Sequence, residues 1–361
     1  MRQGKVKESV LRRSVLRQIH THSLAGSPGY GEDAGLFPVE ERETEQRGNT
    51  RLIAVSVNPV EGWTLAARRA VYGAVNSLAA ADAVPAGIAP VIFLPEDTEE
   101  RQLKALMREI NVLCQQEKIY CLAGHTTVSP FAGDLMMSVT ALGYRRETAG
   151  SETDETAAAA YKKKKNSAPW QLAAIRPHMD IVTAGTAGRE GTAMLAIRKK
   201  EELLTRYPSF FVEEAEHLFD DASMRKAADI ARAAGAVGIH DVREGGIFGG
   251  LWELAAAGGV GLDVELKRIP VRQHTIEVCE FFRLNPYMLI SGGTLLIVCE
   301  NGERVAAALA KEGIPAAVIG QTTDRNDRII RYDDEIRYLE PPKEDEYYTT
   351  VQPCVSKAEL L

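Results

Sequence analysis

Leu52-Ile53-Ala54-Val55-Ser56-Val57-Asn58-Pro59-Val60-Glu61-Gly62 runs straight into Trp63-Thr64-Leu65-Ala66-Ala67-Arg68-Arg69-Ala70, and this junction decides the fold class. Leu52 to Val57 is an apolar, partly β-branched run of the length of a buried strand. Asn58, Pro59 and Gly62 then break it with turn residues. From Trp63 to Ala81 the chain becomes Ala-rich and reads as one long helix. A strand feeding a polar turn and then a helix is the building unit of α/β proteins. The pattern repeats downstream. Ile88 to Leu94 reads as a strand closed by Pro95, and Glu99 to Lys118 as an amphipathic helix with Leu103, Leu106, Ile110 and Leu113 on one face. Tyr120 to Ala123 and Leu135 to Tyr144 follow as strands.

Upstream, Val6, Val10, Leu11, Val15 and Ile19 recur near helical spacing, and Gly26-Ser27-Pro28-Gly29-Tyr30-Gly31 is a loop by composition. Downstream, Glu147 to Ser167 holds Ala157 to Ala160 and Lys162 to Lys165 amid Glu, Thr and Ser. So little of it can be buried that it reads as a surface insertion or linker, with a basic docking patch as the other reading. A second α/β block follows. Asp180 to Ala184, Gly261 to Leu266, Thr294 to Cys299 and Ala316 to Gly320 read as its strands, with helices at Thr192 to Lys200, Ala222 to Ala234 and Ile247 to Ala257. From Pro341 the chain is polar and reads as a tail. A length of 361 residues also favours two domains. The expected division is therefore 1–147, a linker at 148–168, a second domain at 169–337 and a tail at 338–361.

A net charge of −7 argues against nucleic acid or an anionic membrane as the main partner, since both call for a basic surface. No apolar run reaches the 18–20 residues or so needed to cross a bilayer. Met1 to Gln18 also lacks the apolar core of a signal peptide, so the expectation is a cytoplasmic protein with no membrane partner. Cys114, Cys121, Cys279 and Cys299 form no CxxC pair and read as small buried hydrophobes. Cys354, in the polar tail, is expected to be exposed.

Five stretches put glycine or polar residues beside strand ends, where α/β folds bind ligands. They are Gly31-Glu32-Asp33-Ala34, Val57 to Gly62, Ala74-Val75-Asn76-Ser77, Gly124-His125-Thr126-Thr127, and His240-Asp241-Val242-Arg243-Glu244-Gly245-Gly246. Singly each has a plain explanation: Gly-Glu-Asp is a common turn, and a lone His commonly packs in a core.

Their order and spacing are more specific. They resemble, in turn, the GDDAA, strand-ending DP, NANDIAA, GGHTE and HDPTEGG segments of the AIR-synthase-like family, the PurM-like proteins. Gly188-Arg189-Glu190-Gly191-Thr192-Ala193 resembles its GTEGTA turn, and Ile290 to Ile297 its SSGTLLI strand. The resemblance runs from about Gly4 to Tyr332 and is strongest to the HypE group of hydrogenase maturation factors. It implies a two-domain α/β fold whose N-terminal domain forms a β-barrel with a partner subunit, hence a homodimer. It also implies ATP and Mg2+ in a cleft between the domains, and phosphorylation of a carbonyl or amide oxygen of a small-molecule or protein substrate. On that resemblance Asp33, Asp241 and Glu244 would hold metal, and Asn58, Asn76, His125, Thr126, Gly245 and Gly246 would contact phosphate or substrate.

The sequence departs from the family at its acids. Glu32 replaces the first Asp of GDDAA, Asn58 the Asp before Pro59, Ser77 the Asp after Asn76, and Thr127 the Glu of GGHTE. Each loss of charge weakens a site meant for divalent cations. The expectations are weak or single-site metal binding or, alternatively, a non-catalytic homodimeric binding module. HypE chemistry uses a C-terminal Cys, whereas seven residues follow Cys354.

Overall fold

The computed structural model describes residues 6–19, 30–40, 50–145, 172–341 and 344–351. The linker expected at 148–168 and Cys354 lie outside them.

The N-terminal half is a mixed sheet of β1 (Gly35–Glu40), β2 (Thr50–Glu61), β3 (Ala83–Leu94), β4 (Tyr120–Cys121), β5 (His125–Val128) and β6 (Met136–Arg145). The order is β1-β2-β6-β3-β4, with β5 pairing β3 beyond β4. The long pairs β2/β6 and β6/β3 are antiparallel, while β4 and β5 run parallel to β3. Side chains alternate between the two faces. Ala54, Val60, Ile88, Ile92, Val139 and Ala141 point to one face and are buried under the helices Ala66–Ala80 and Glu100–Glu117. Across from them Val57, Phe93, Met136 and Tyr144 stay exposed. One face of this sheet is thus covered and the other open.

In the C-terminal half, β7 (Asp180–Ala184), β8 (Ala236–Val242), β9 (Gly261–Glu265), β10 (Thr294–Cys299), β11 (Ala316–Thr323), β12 (Arg328–Tyr332) and β13 (Glu335–Tyr338) form a second sheet. Its order is β13-β12-β9-β11-β7-β10-β8, antiparallel apart from β12/β9. Helices cover both faces. Gly246–Gly258 packs Ile247, Leu251 and Leu254 onto one side, and Arg225–Ala233 with Gly302–Lys311 packs Ala228, Val305 and Leu309 onto the other. A strand buried on both faces has no alternation, and β10 is accordingly a continuous apolar run. The mixed α/β architecture in two blocks agrees with the sequence.

Two features differ from the sequence reading. The Ala66–Ala80 helix belongs to both halves, because its last turn (Ala79, Ala80) joins the core of the second sheet. Alanine leaves room for backbones to approach, so the Ala-rich stretch is a seam and not merely a strong helix former. Residues 344–351, read as part of a polar tail, fold back instead. Asp345 and Tyr347 are buried, Tyr347 among Met194, Leu195 and Cys279, so an aromatic anchor outweighs the polarity around it. Cys114, Cys279 and Cys299 are buried as expected, but Cys121 is exposed because β4 is only two residues long.

Candidate active site at the seam between the halves

Asn58 leaves β2 on the covered face, and its amide nitrogen donates to the carbonyls of Arg69 (2.9 Å) and Ala70 (3.4 Å). Its Oδ1 is buried without a hydrogen-bond partner among the described residues. Asn76, two turns along the same helix, donates to Ala222 O at 2.8 Å and accepts the Met224 N–H at 2.7 Å. Both groups of its amide are thus taken up in pinning the second half to the helix. Arg69 completes the seam. Its Nε donates to Glu190 Oε1 at 3.1 Å and its Nη1 to Glu61 O at 2.8 Å. Glu190 Oε2 accepts the Gly292 N–H at 2.9 Å. Both charges are buried, which is tolerable only with each other and these further hydrogen bonds as partners.

The acids gather at the end of β8. A side chain at Gly31 (φ +82°) would meet Glu253 O at 2.7 Å, so glycine lets the turn at residues 30–32 press against the Gly246–Gly258 helix. Asp33 then reaches His240. Its Oδ2 lies 3.1 Å from Nδ1, while Glu253 Oε2 lies 3.2 Å from Nε2. Burial alone would lower the imidazole, but the two flanking carboxylates outweigh it and hold His240 up to about 10, as a buried cation. Asp241 donates its backbone N–H to Asp33 Oδ1 (3.3 Å) and accepts the Ser77 hydroxyl on Oδ2 (3.0 Å). Its Oδ1 has no partner among the described residues, and burial pushes the carboxyl up to about 7. Ser77 therefore gives this acid a donor where a second carboxylate would repel it.

Glu244, Gly245 and Gly246 turn another way. Tyr348 donates to Glu244 Oε1 at 3.0 Å, and Gly245 donates its N–H to Asp345 Oδ2 at 2.6 Å. The folded-back segment thus occupies both. Gly246 has φ +62°, and a side chain there would strike Tyr287 O.

Among the described residues no group of three His, Cys, Asp or Glu side chains is arranged to hold a metal ion. Asp33 and Asp241 are neighbours, but Asp33 already engages His240 and Asp241, and Glu244 is held by Tyr348. Within the trio the Oδ1 of Asp241 is the one buried oxygen without a partner, and the three carboxylates as arranged do not form a magnesium site.

His125 and Thr126 lie elsewhere. His125 pairs with Val91, which pairs with Ser138, opposite Pro59. That row is one position off Asn58 and faces the open side, so His125 and Asn58 point away from each other across the sheet. Thr126, on β5, is exposed.

A narrow cleft at the seam collects what remains. It is lined by Arg69, Gly73, Asn76, Asp241, Arg243 and Gly292. A methyl group at Gly73 would overlap Arg243 Nη1 and Asn58 Nδ2, so glycine is what lets the guanidinium lie against the helix. Sequence reasoning overlooked Arg69, Glu190, Glu253, Arg243 and Asp345. Two signals were legible: Glu190 is the acid of the stretch that resembles GTEGTA, and Arg243 is charged where the resembled HDPTEGG segment has Thr.

Two family models match most of the described chain: the AIR synthase related protein N-terminal domain over residues 31–144 and the C-terminal domain over 176–333. The chain belongs to the AIR synthase related family. Among its relatives is a carbamoyl dehydratase HypE from Rhodobacter capsulatus, 26% identical, matched over 86% of this chain and 85% of that one. Similar solved structures include E. coli HypE, a hydrogenase maturation protein, with a TM-score of 0.67 at 22% identity, covering 81% of this chain and 86% of that one. Another is a HypE in complex with ATP, with a TM-score of 0.62 at 17% identity, covering 96% and 97%. The family models meet the chain on both sides of the seam, and the cleft lies between the two matched domains.

Proposed function

We propose that this chain binds ATP in the seam cleft and uses it, as a HypE-like enzyme, to phosphorylate a carbonyl or amide oxygen of a substrate. Phosphorylation turns a poor leaving oxygen into a good one, and the protein's part is to position the phosphoryl group and balance its charge. The observation that carries this reading is the cleft itself. It brings the half-buried Arg243 cation and the glycines at 73, 292 and 293 to one place, where backbone and guanidinium can come close to phosphate oxygens. A relative named carbamoyl dehydratase and a structural neighbour holding ATP support it. His125, Thr126 and the open sheet face belong, on the same reading, to a homodimer interface.

A fluorescent ATP analogue tests the proposal. The purified protein should bind it at micromolar concentration, and unlabelled ATP should displace it. Failure of ATP to displace the probe would rule the nucleotide out.

A further inference from the structure

Arg243 is the cleft's cation without a side-chain hydrogen bond among the described residues: its charge is felt by Asp241, whose carboxyl it pulls down against the rise from burial. Its backbone carbonyl is used, accepting N–H groups from Gly246 and Ser291. Its guanidinium has neither a hydrogen bond nor an ion pair within 4 Å among the described residues. Arg69, in the same cleft, is by contrast locked to Glu190 and Glu61. Asn58 and Asp241, residues near Arg243 at the cleft, each keep one buried oxygen, Oδ1, without a partner among the described residues. Gly73 brings Arg243 and Asn58 together, since both would collide with any side chain there.

The two departures from the resembled motifs that meet at Gly73 agree with this. Asn58 for Asp removes one negative charge, and Arg243 for Thr adds one positive charge. Both make the cleft more positive. A guanidinium is also weakly hydrated and presents a planar fork of donors matched to phosphate.

We propose that Arg243 is the resident cation of the cleft and takes phosphate oxygens of the nucleotide directly, so that nucleotide is held without magnesium. This rests on the ATP reading above. The lack of convergence of Asp33, Asp241 and Glu244 then has a functional sense, because no metal cage is required for binding.

Calorimetric titration with ATP, in magnesium chloride and in EDTA, tests the proposal on wild type, Arg243→Lys and Arg243→Thr. Wild type and Arg243→Lys should bind with affinities that differ by less than about threefold between the two buffers. Arg243→Thr should lose about tenfold or more in EDTA. Adding Asn58→Asp to Arg243→Thr should restore binding in magnesium alone. Circular dichroism confirms folding, and Arg243→Met, which keeps the apolar stem, replaces the Thr variant if that one unfolds. Wild-type binding that needs magnesium, or Arg243→Thr binding as wild type does in EDTA, would overturn the role of Arg243 and leave the nucleotide reading standing. Absence of ATP binding in both buffers would overturn both.

Discussion

Asp345 accepts the backbone N–H groups of Gly245, Ile290 and Tyr347 and is almost wholly buried. Burial pushes its carboxyl up to about 7, with the N–H donors from Tyr347 and Gly245 pulling the other way and the charge of Glu244 adding to the rise. A carboxyl raised in the folded state stabilises fully below its unfolded value near 4, and that contribution is lost as pH rises towards 7. The folded-back segment 344–351 should therefore open more readily as pH rises from about 4 to 7 and level off above, at up to about 1.4 kcal/mol per pH unit. Hydrogen exchange at the amides of Gly245, Ile290 and Tyr347, corrected for intrinsic rates, measures this directly. Protection that is flat or rises with pH would contradict it. None of this was legible in the acidic, polar composition of the segment, because a single buried aromatic, Tyr347, reverses its fate. Asn58 and Asn76 were legible as special positions, but not as groups bonded to the backbone of the seam. Which partner a short polar side chain takes depends on segments far away in sequence, here Ala222 and Met224.

Elements were most legible where one pattern rules. The helix Glu100–Glu117 and the strands β7 and β10 follow from periodicity or an unbroken apolar run. β8 was missed as a strand because His240 and Asp241 interrupt its apolar run, although both are buried in their own polar cluster. β5 was read only as a motif, and its placement depends on pairing with β3, which no local signal announces. That placement has a consequence. Val57, Phe93, Met136 and Tyr144 leave an exposed apolar face beside His125 on the N-terminal sheet. A face of this kind is a liability in a monomer and a natural surface for a second copy. We expect a homodimer burying about 2,000 Å2 or more of total surface. Light scattering at micromolar concentration should give twice the 39.5 kDa chain mass, and a 39.5 kDa particle would contradict it.

The whole molecule is organised by its seam. Helix Ala66–Ala80 packs into the cores of both halves, Asn76 ties it to Ala222 and Met224, and the Arg69–Glu190 pair joins it to the Arg189–Arg198 helix. The sequence announced two α/β blocks, because strand and helix periodicities are local. It could not announce that the junction between them would be polar, glycine-lined and cationic, since that arises only when distant segments meet. The domain limits near 147 and 169 stand as a proposal, to which the low-complexity stretch 147–167 points. The functional reading turns on ATP occupying this seam cleft. Calorimetry of ATP binding to wild type and to Gly73→Ala decides it, because the added methyl falls among the lining groups of the cleft beside Arg243 and Asn58. Wild type should bind measurably, and Gly73→Ala should bind about tenfold or more weakly with its circular dichroism unchanged. Equal ATP affinity in the two proteins would place the nucleotide elsewhere and contradict the reading.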